Sequence, residues 1–163
     1  MGMIHKQRLT GPSVWKGPDF AGDKSWIRPL NAQQCEELLA AVAAVQNAGK
    51  RFPDFGVVDF PLAELGQQLR EWGNELESGR GFILLRGLPI DGLHDDAIDI
   101  LYFGLGLHMG VPVRQNPAGD LIGRVMNVGD LKDRQTRVYE TNAYLPYHTD
   151  PSDMVGLLCI RAA

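Results

Sequence analysis

Hydrophobic residues recur at helical spacing in three stretches of the chain. A first helix is predicted from Asn31, a favourable N-cap, to Gly49, a second from Pro61 to Gly79, and a third from Leu93 to Met109. Their apolar stripes comprise Cys35, Leu38, Leu39, Val42 and Val45 in the first helix, Leu62, Leu65, Leu69, Trp72 and Leu76 in the second, and Ile98, Leu101, Tyr102 and Leu105 in the third. Such stripes are typical of core packing, so we do not assign them to a cofactor.

Short apolar runs bounded by glycine, proline or charged residues predict strands at 81–87, 121–128, 138–144 and 155–160. Because most helices precede most strands, the order indicates an α+β domain. The last run has no later strand to pair with, and an unpaired edge is normally covered. We therefore expect the chain to be truncated at its C-terminal end.

Residues 1–30 contain Gly11-Pro12, Gly17-Pro18 and Pro29, which favour an irregular, extended N-terminal arm. Trp15 and Trp26 are expected to dock this arm on the body of the protein. The predicted organisation is thus an arm over 1–30, followed by the N-terminal part of a single domain over 31–163.

Composition narrows the class of protein. Apolar residues make up 44% and charged residues 22% of 163 residues, as in ordinary globular domains. The net charge is −4 with no basic stripe, which argues against a nucleic-acid or anionic-membrane partner. No secretory signal or membrane span is apparent, and the cysteines Cys35 and Cys159 are far apart. A cytoplasmic protein is the expectation.

The candidate chemistry lies in Tyr147-His148-Thr149-Asp150-Pro151. In an extended segment residues i and i+2 share a face, so His148 and Asp150 can present an imidazole nitrogen and a carboxylate to one cation. With a second histidine supplied elsewhere, these ligands form the facial triad of non-haem Fe(II) oxygenases. The alternative is a hydrogen-bonded histidine beside a turn that Asp150 caps.

A second H-x-D sequence, His94-Asp95-Asp96, provides an internal control. It falls at the start of the third predicted helix, where residues two apart diverge by about 200° around the axis. These acids are better explained as partners of the helix dipole. The context therefore favours His148 and Asp150 as the metal ligands.

Several segments in order resemble the taurine dioxygenase-like (TauD/TfdA-like) family of Fe(II)/2-oxoglutarate-dependent dioxygenases. The residues that carry the resemblance are Gly11–Trp15 with Trp26-Ile27, Gly81–Pro89, Leu105–Val113, the H-T-D motif at His148 and the run Val155–Ala163. The resemblance implies a double-stranded β-helix (jelly roll), here incomplete and flanked by N-terminal helices. It also implies Fe(II) as cofactor, 2-oxoglutarate and O₂ as co-substrates, and hydroxylation of a small organic substrate.

The family's distal histidine ligand and its 2-oxoglutarate-binding arginine are expected beyond Ala163. His5, His94 and His108 precede the motif, and Arg161 is too close to it to be that arginine. The isolated chain is therefore expected to bind iron weakly and not to turn over.

Asn142 and Tyr144 alternate on the approach to the motif and are candidate substrate contacts, with a cross-strand pair as the simpler explanation.

Two other functions remain open at the level of sequence. One is a non-catalytic remnant whose sheet edge is covered by a partner chain, and a homo-oligomer is one form of it. The other is a small cupin-like metalloprotein that binds Zn or Mn, which requires a second histidine near His148. Neither the substrate nor the oligomeric state follows from the sequence.

Overall fold

Three α-helices and two short strands form the regular structure of the chain in a computed structural model that describes residues 6–126, 129, 141, 144–150 and 152–161. The strands are β1 (Ile27–Pro29) and β2 (Leu84–Arg86), and the helices are α1 (Ala32–Asn47), α2 (Leu65–Ser78) and α3 (Asp95–Leu107). One-turn 3-10 helices occupy Gly17–Phe20 and Val57–Asp59. The predicted mixture of helices and sheet is confirmed, and the incomplete jelly roll stays a prediction.

The chain divides into two compact units. One comprises 1–111 together with 160–163, and the other comprises 112–159. All five helices and strands named above belong to the first unit. The predicted division into an arm over 1–30 and a domain over 31–163 stays a prediction.

Helix α1 begins where its sequence predicts. The Asn31 side chain accepts a hydrogen bond from the Gln34 backbone N–H at 2.9 Å, and the Gln34 side chain accepts one from the Asn31 N–H at 2.9 Å. This reciprocal pair satisfies two donors that a helix start otherwise leaves without partners. The helix ends before Gly49, whose φ of +69° suits a residue without a Cβ.

Helix α2 begins at Leu65, so the prediction of Pro61 in its first turn is wrong. The carboxylate of Glu37 in α1 accepts hydrogen bonds from the backbone N–H groups of Glu64 and Leu65, each at 3.0 Å. A neighbouring helix thus supplies the cap that no local side chain provides. Local sequence cannot reveal this start, because the capping carboxylate lies 28 residues earlier. The predicted end at Gly79 is confirmed.

The core of the first unit lies where α1 contacts α3 and the segment before α2. Phe60 is fully buried at its centre. An ideal Cβ on Gly104 of α3 would lie 2.6 Å from the Phe60 ring, so the ring packs directly on the helix backbone. The other buried apolar residues are Leu38, Ala41, Val42, Val45, Phe55, Leu62, Leu65, Leu69, Ala97, Ile98, Ile100, Leu101, Phe103 and Leu105.

Strands β1 and β2 pair in parallel, with Ile27 opposite Leu84 and Pro29 opposite Arg86. The preceding arm docks through a second, aromatic cluster formed by Trp15, Phe20, Trp26 and Phe82. The Trp15 indole also donates to the Arg80 carbonyl at 2.9 Å. The expected docking of both tryptophans is therefore confirmed.

Two of the predicted strands are not seen in the residues that the structure describes. Residues 121–126 and 155–160 contain no strand, and most apolar side chains of the second run are exposed, Leu157 by 86%. An apolar run becomes a strand only when a neighbouring strand pairs with its backbone groups, and a local pattern cannot supply that neighbour. Most of the predicted strand at 138–144, and residues 127 and 128, lie outside the described residues.

In the part of the chain that the structure describes, no helix has both the length and the apolar character needed to cross a membrane.

Gly104→Ala is expected to destabilise the protein by about 1–3 kcal/mol, because the added methyl group would overlap the Phe60 ring. The matched control is Gly106→Ala on the exposed face of the same helix, where an added Cβ meets nothing within 4 Å. The control should be neutral or stabilising by up to about 1 kcal/mol, since alanine favours helix over glycine. Urea unfolding measures both, and equal effects would contradict the close packing.

The Asp59 carboxylate accepts from the Gly56 backbone N–H at 2.9 Å and from the Lys50 ammonium at 2.7 Å. These contacts, the Gly56 bond first, hold the pKa of Asp59 below its ordinary value of 3.8. A lowered folded-state pKa stabilises the fold above the unfolded-state value and loses that contribution as the pH falls through the folded-state value.

Asp59→Asn should therefore lower the thermal midpoint at pH 7 and reduce the loss of stability below about pH 4. Thermal unfolding followed across pH 2–7 measures this difference. A variant curve parallel to that of the native chain at every pH would contradict it.

Candidate metal centre

The segment 144–150 carries the two side chains that the sequence singles out as metal ligands. It is neither helix nor strand. The His148 Nε2 atom lies 4.0 Å from the Asp150 Oδ1 atom, so the two groups lie on one side of the segment, as expected for residues i and i+2. The side chains are about half exposed, at 50% and 51%.

The separation of these two atoms can be compared with what one cation requires. First-row metals bind imidazole nitrogen and carboxylate oxygen at about 2.0–2.2 Å, so two ligands of one ion lie at most about 4.4 Å apart and about 3 Å apart at right angles. The observed 4.0 Å falls inside the upper limit. A side-chain rotation that brings the two atoms about 1 Å closer would reach the right-angle arrangement. As placed, the two atoms are about 1 Å farther apart than two adjacent positions of one coordination sphere require, so a shared ion needs that movement.

The other ring nitrogen of His148 is engaged by the backbone. The Nδ1 atom lies 2.9 Å from the carbonyl oxygen of Pro146. A carbonyl oxygen only accepts, so Nδ1 is the donor in this contact and Nε2 is left facing Asp150. Metal-binding histidines commonly place their second nitrogen in this way.

A third ligand does not join the pair within the described residues. No group of three or more His, Cys, Asp or Glu side chains there is arranged to hold a metal ion. His94 is the N-cap of α3, and the His108 ring donates from Nε2 to the Phe60 carbonyl at 2.8 Å. His5 lies outside the described residues.

The second H-x-D sequence, His94-Asp95-Asp96, lies at the start of α3, with both aspartates in the first turn of the helix. This confirms the predicted placement at a helix start, where the carboxylates face the positive end of the helix dipole. The same three-letter pattern thus has different geometry in its two occurrences, and backbone conformation is what separates them.

Of the two candidate substrate contacts, the structure describes Tyr144 but not Asn142. Tyr144 is 80% exposed beside the motif, which leaves its ring free of burial in this chain. Asn142 lies outside the described residues. The role of both residues stays a prediction.

Sequence reasoning did not identify the Pro146 carbonyl as part of the site. Every residue has a carbonyl, so residue identity carries no signal for this contact. The available signal was the spacing, because a histidine ring can reach the backbone two residues before it.

Comparison with known proteins shows which family this chain resembles. Residues 45–163 match the family model described as taurine catabolism dioxygenase TauD, TfdA family. FR-33289 synthase of Streptomyces rubellomurinus is 32% identical over 162 residues, covering 98% of this chain and 48% of the relative. Taurine hydroxylase-like protein SAT17 of Stachybotrys chartarum is 27% identical over 164 residues, covering 96% and 43%. The chain spans about half the length of these curated relatives.

If the pair binds a cation, Co(II), a spectroscopic substitute for Fe(II), should bind weakly to the chain and perturb the His148 and Asp150 resonances in NMR spectra. His148→Ala and Asp150→Ala should each weaken this binding at least tenfold, because each removes one of two ligands. His94→Ala is the matched control and should leave it unchanged. Equal losses in all three variants would show that Co(II) binds elsewhere.

Proposed function

The chain belongs to the TauD/TfdA family, and on that premise we propose that it contributes to a non-haem Fe(II)- and 2-oxoglutarate-dependent oxygenase. The supporting observation is the convergence of the His148 imidazole and the Asp150 carboxylate, 4.0 Å apart, within the segment that the family model matches. Family membership makes a dioxygenase-type enzyme the expected class. The oxidation of a small organic substrate is the proposed reaction.

In this proposal His148 holds Fe(II) through Nε2, and Asp150 holds it through a carboxylate oxygen. The carboxylate also offsets part of the metal charge, while the neutral imidazole leaves positions open for 2-oxoglutarate and O₂. When bound, Fe(II) with these co-substrates supplies the oxidising chemistry that protein side chains lack. The third ligand and the 2-oxoglutarate-binding arginine are proposed to come from residues other than the described pair.

Because His148 and Asp150 are half exposed, other residues would have to enclose the site before it could act. Oxygenase chemistry needs a site that orients the substrate and excludes water from the reacting atoms. We propose that the jelly roll implied by the family provides it, with Tyr144 and Asn142 facing the substrate. The relative from Stachybotrys chartarum is a taurine hydroxylase-like protein, which favours hydroxylation of a small molecule over other oxidations.

A second candidate function is a binding or assembly module without catalysis. It is favoured by the exposure of three apolar side chains that follow the motif in sequence: Met154, Val155 and Leu157. Exposed apolar surface is commonly where interaction sites lie. The cupin-like alternative gains no support, because no second histidine within the described residues forms a metal-binding group with His148.

Succinate formation from 2-oxoglutarate, with Fe(II), ascorbate and O₂, tests the proposed reaction. The isolated chain is expected to produce no succinate above the level of free Fe(II), because two ligands hold the metal weakly. In a chimera, this chain would replace the matched segment of FR-33289 synthase, and the remainder of that relative would supply the rest of the site. This chimera should produce succinate.

Within the chimera, His148→Ala and Asp150→Ala should reduce succinate formation at least 100-fold, and His94→Ala should not. A chimera whose turnover survives the loss of His148 would refute the assignment. Robust turnover by the isolated chain would instead show that the full ligand set is present within these 163 residues.

A further inference from the structure

The backbone carbonyl of Pro146, two residues before His148, contacts the His148 ring. The Nδ1 to oxygen distance of 2.9 Å is that of an ordinary hydrogen bond. Because the carbonyl has no proton to give, this bond exists only when Nδ1 carries the hydrogen. In a neutral ring, Nε2 then has a lone pair and no proton.

The nearest charged group to that nitrogen in the motif is a carboxylate. Nε2 and the Asp150 Oδ1 atom are 4.0 Å apart, which is too long for a direct hydrogen bond. Both atoms are then acceptors with no proton between them. In this neutral form the two acceptors repel each other slightly, and a cation between them would remove that repulsion by binding both.

We propose that the Pro146 carbonyl fixes the His148 imidazole as its Nδ1–H tautomer and thereby aims the Nε2 lone pair at the space shared with Asp150. Pro146 is a positioning residue in this scheme, since it acts on the metal through His148. Its relevance to iron rests on the proposed function, whereas the tautomer itself does not.

The residue type at position 146 supports this role. The proline ring fixes its own φ near −65°, and it confines the preceding Leu145 to extended conformations. Fewer backbone conformations at the acceptor mean a smaller entropic cost for holding the carbonyl against the ring. This restraint is valuable in a segment that has no strand or helix to hold it.

The tautomer can be measured on the metal-free chain by ¹⁵N NMR of the imidazole at pH 8.5. The expected spectrum shows a protonated Nδ1 and an unprotonated Nε2 as the main form. A main form protonated at Nε2 overturns the proposal. Protonation of both nitrogens at this pH also overturns it, because His148 and Asp150 would then form a simple ion pair.

Pro146→Ala keeps a carbonyl at this position but removes the ring restraint. It should lower the Nδ1–H fraction and weaken Co(II) binding by up to about tenfold, the low end of effects from partners of metal ligands. The matched control is Tyr147→Ala, since this side chain adjoins His148 and is fully exposed. It should change neither quantity. An unchanged tautomer in Pro146→Ala would refute the role of the proline.

The outcomes separate this inference from the proposed function. An Nδ1–H ring in a chain that never binds Co(II) would retain the positioning contact and count against the oxygenase. Co(II) binding by a ring protonated mainly at Nε2 in the metal-free state would support the metal centre and refute the positioning role.

Discussion

The packing of the Phe60 ring on the backbone of α3 at Gly104 is the constraint on which the first unit depends. The ring is fully buried. Hydrogen bonds hold the turn that precedes Phe60 in the chain and also join Phe60 to the end of α3. Asp59 closes the turn before it, and the His108 ring binds the Phe60 carbonyl from the end of α3. An apolar contact thus sets the distance, and two hydrogen bonds fix the orientation.

The candidate metal centre is built on a different principle. His148 is oriented by a carbonyl two residues away and faces a carboxylate two residues further on, so its geometry arises within five consecutive residues. A short-range arrangement of this kind needs no distant contact to form. It also explains why the pair converges in a segment without regular structure.

The helices were predictable where the signal was local and not where it was distant. Asn31 and Gly49 mark the bounds of α1 by chemistry that lies next to the helix ends. The start of α2 depends on Glu37, which no local pattern connects to Leu65. The apolar run 155–160 reads as a strand because its composition suits one, but pairing requires a partner, and the structure shows none for it among the described residues. The metal-ligand roles of His148 and Asp150 stay predictions, as do those of Asn142 and Tyr144.

On the proposed assignment of His148 and Asp150 as metal ligands, their half-exposure has a consequence for metal identity. Ligands that stand in solvent exchange their ion readily, so occupancy follows the free metal concentrations around the protein rather than kinetic trapping. One imidazole and one carboxylate also discriminate poorly, and the intrinsic order of affinity places Cu(II) and Zn(II) above Fe(II). In the proposed site, selection of iron would therefore come from metal supply and from the residues that complete and enclose the coordination sphere.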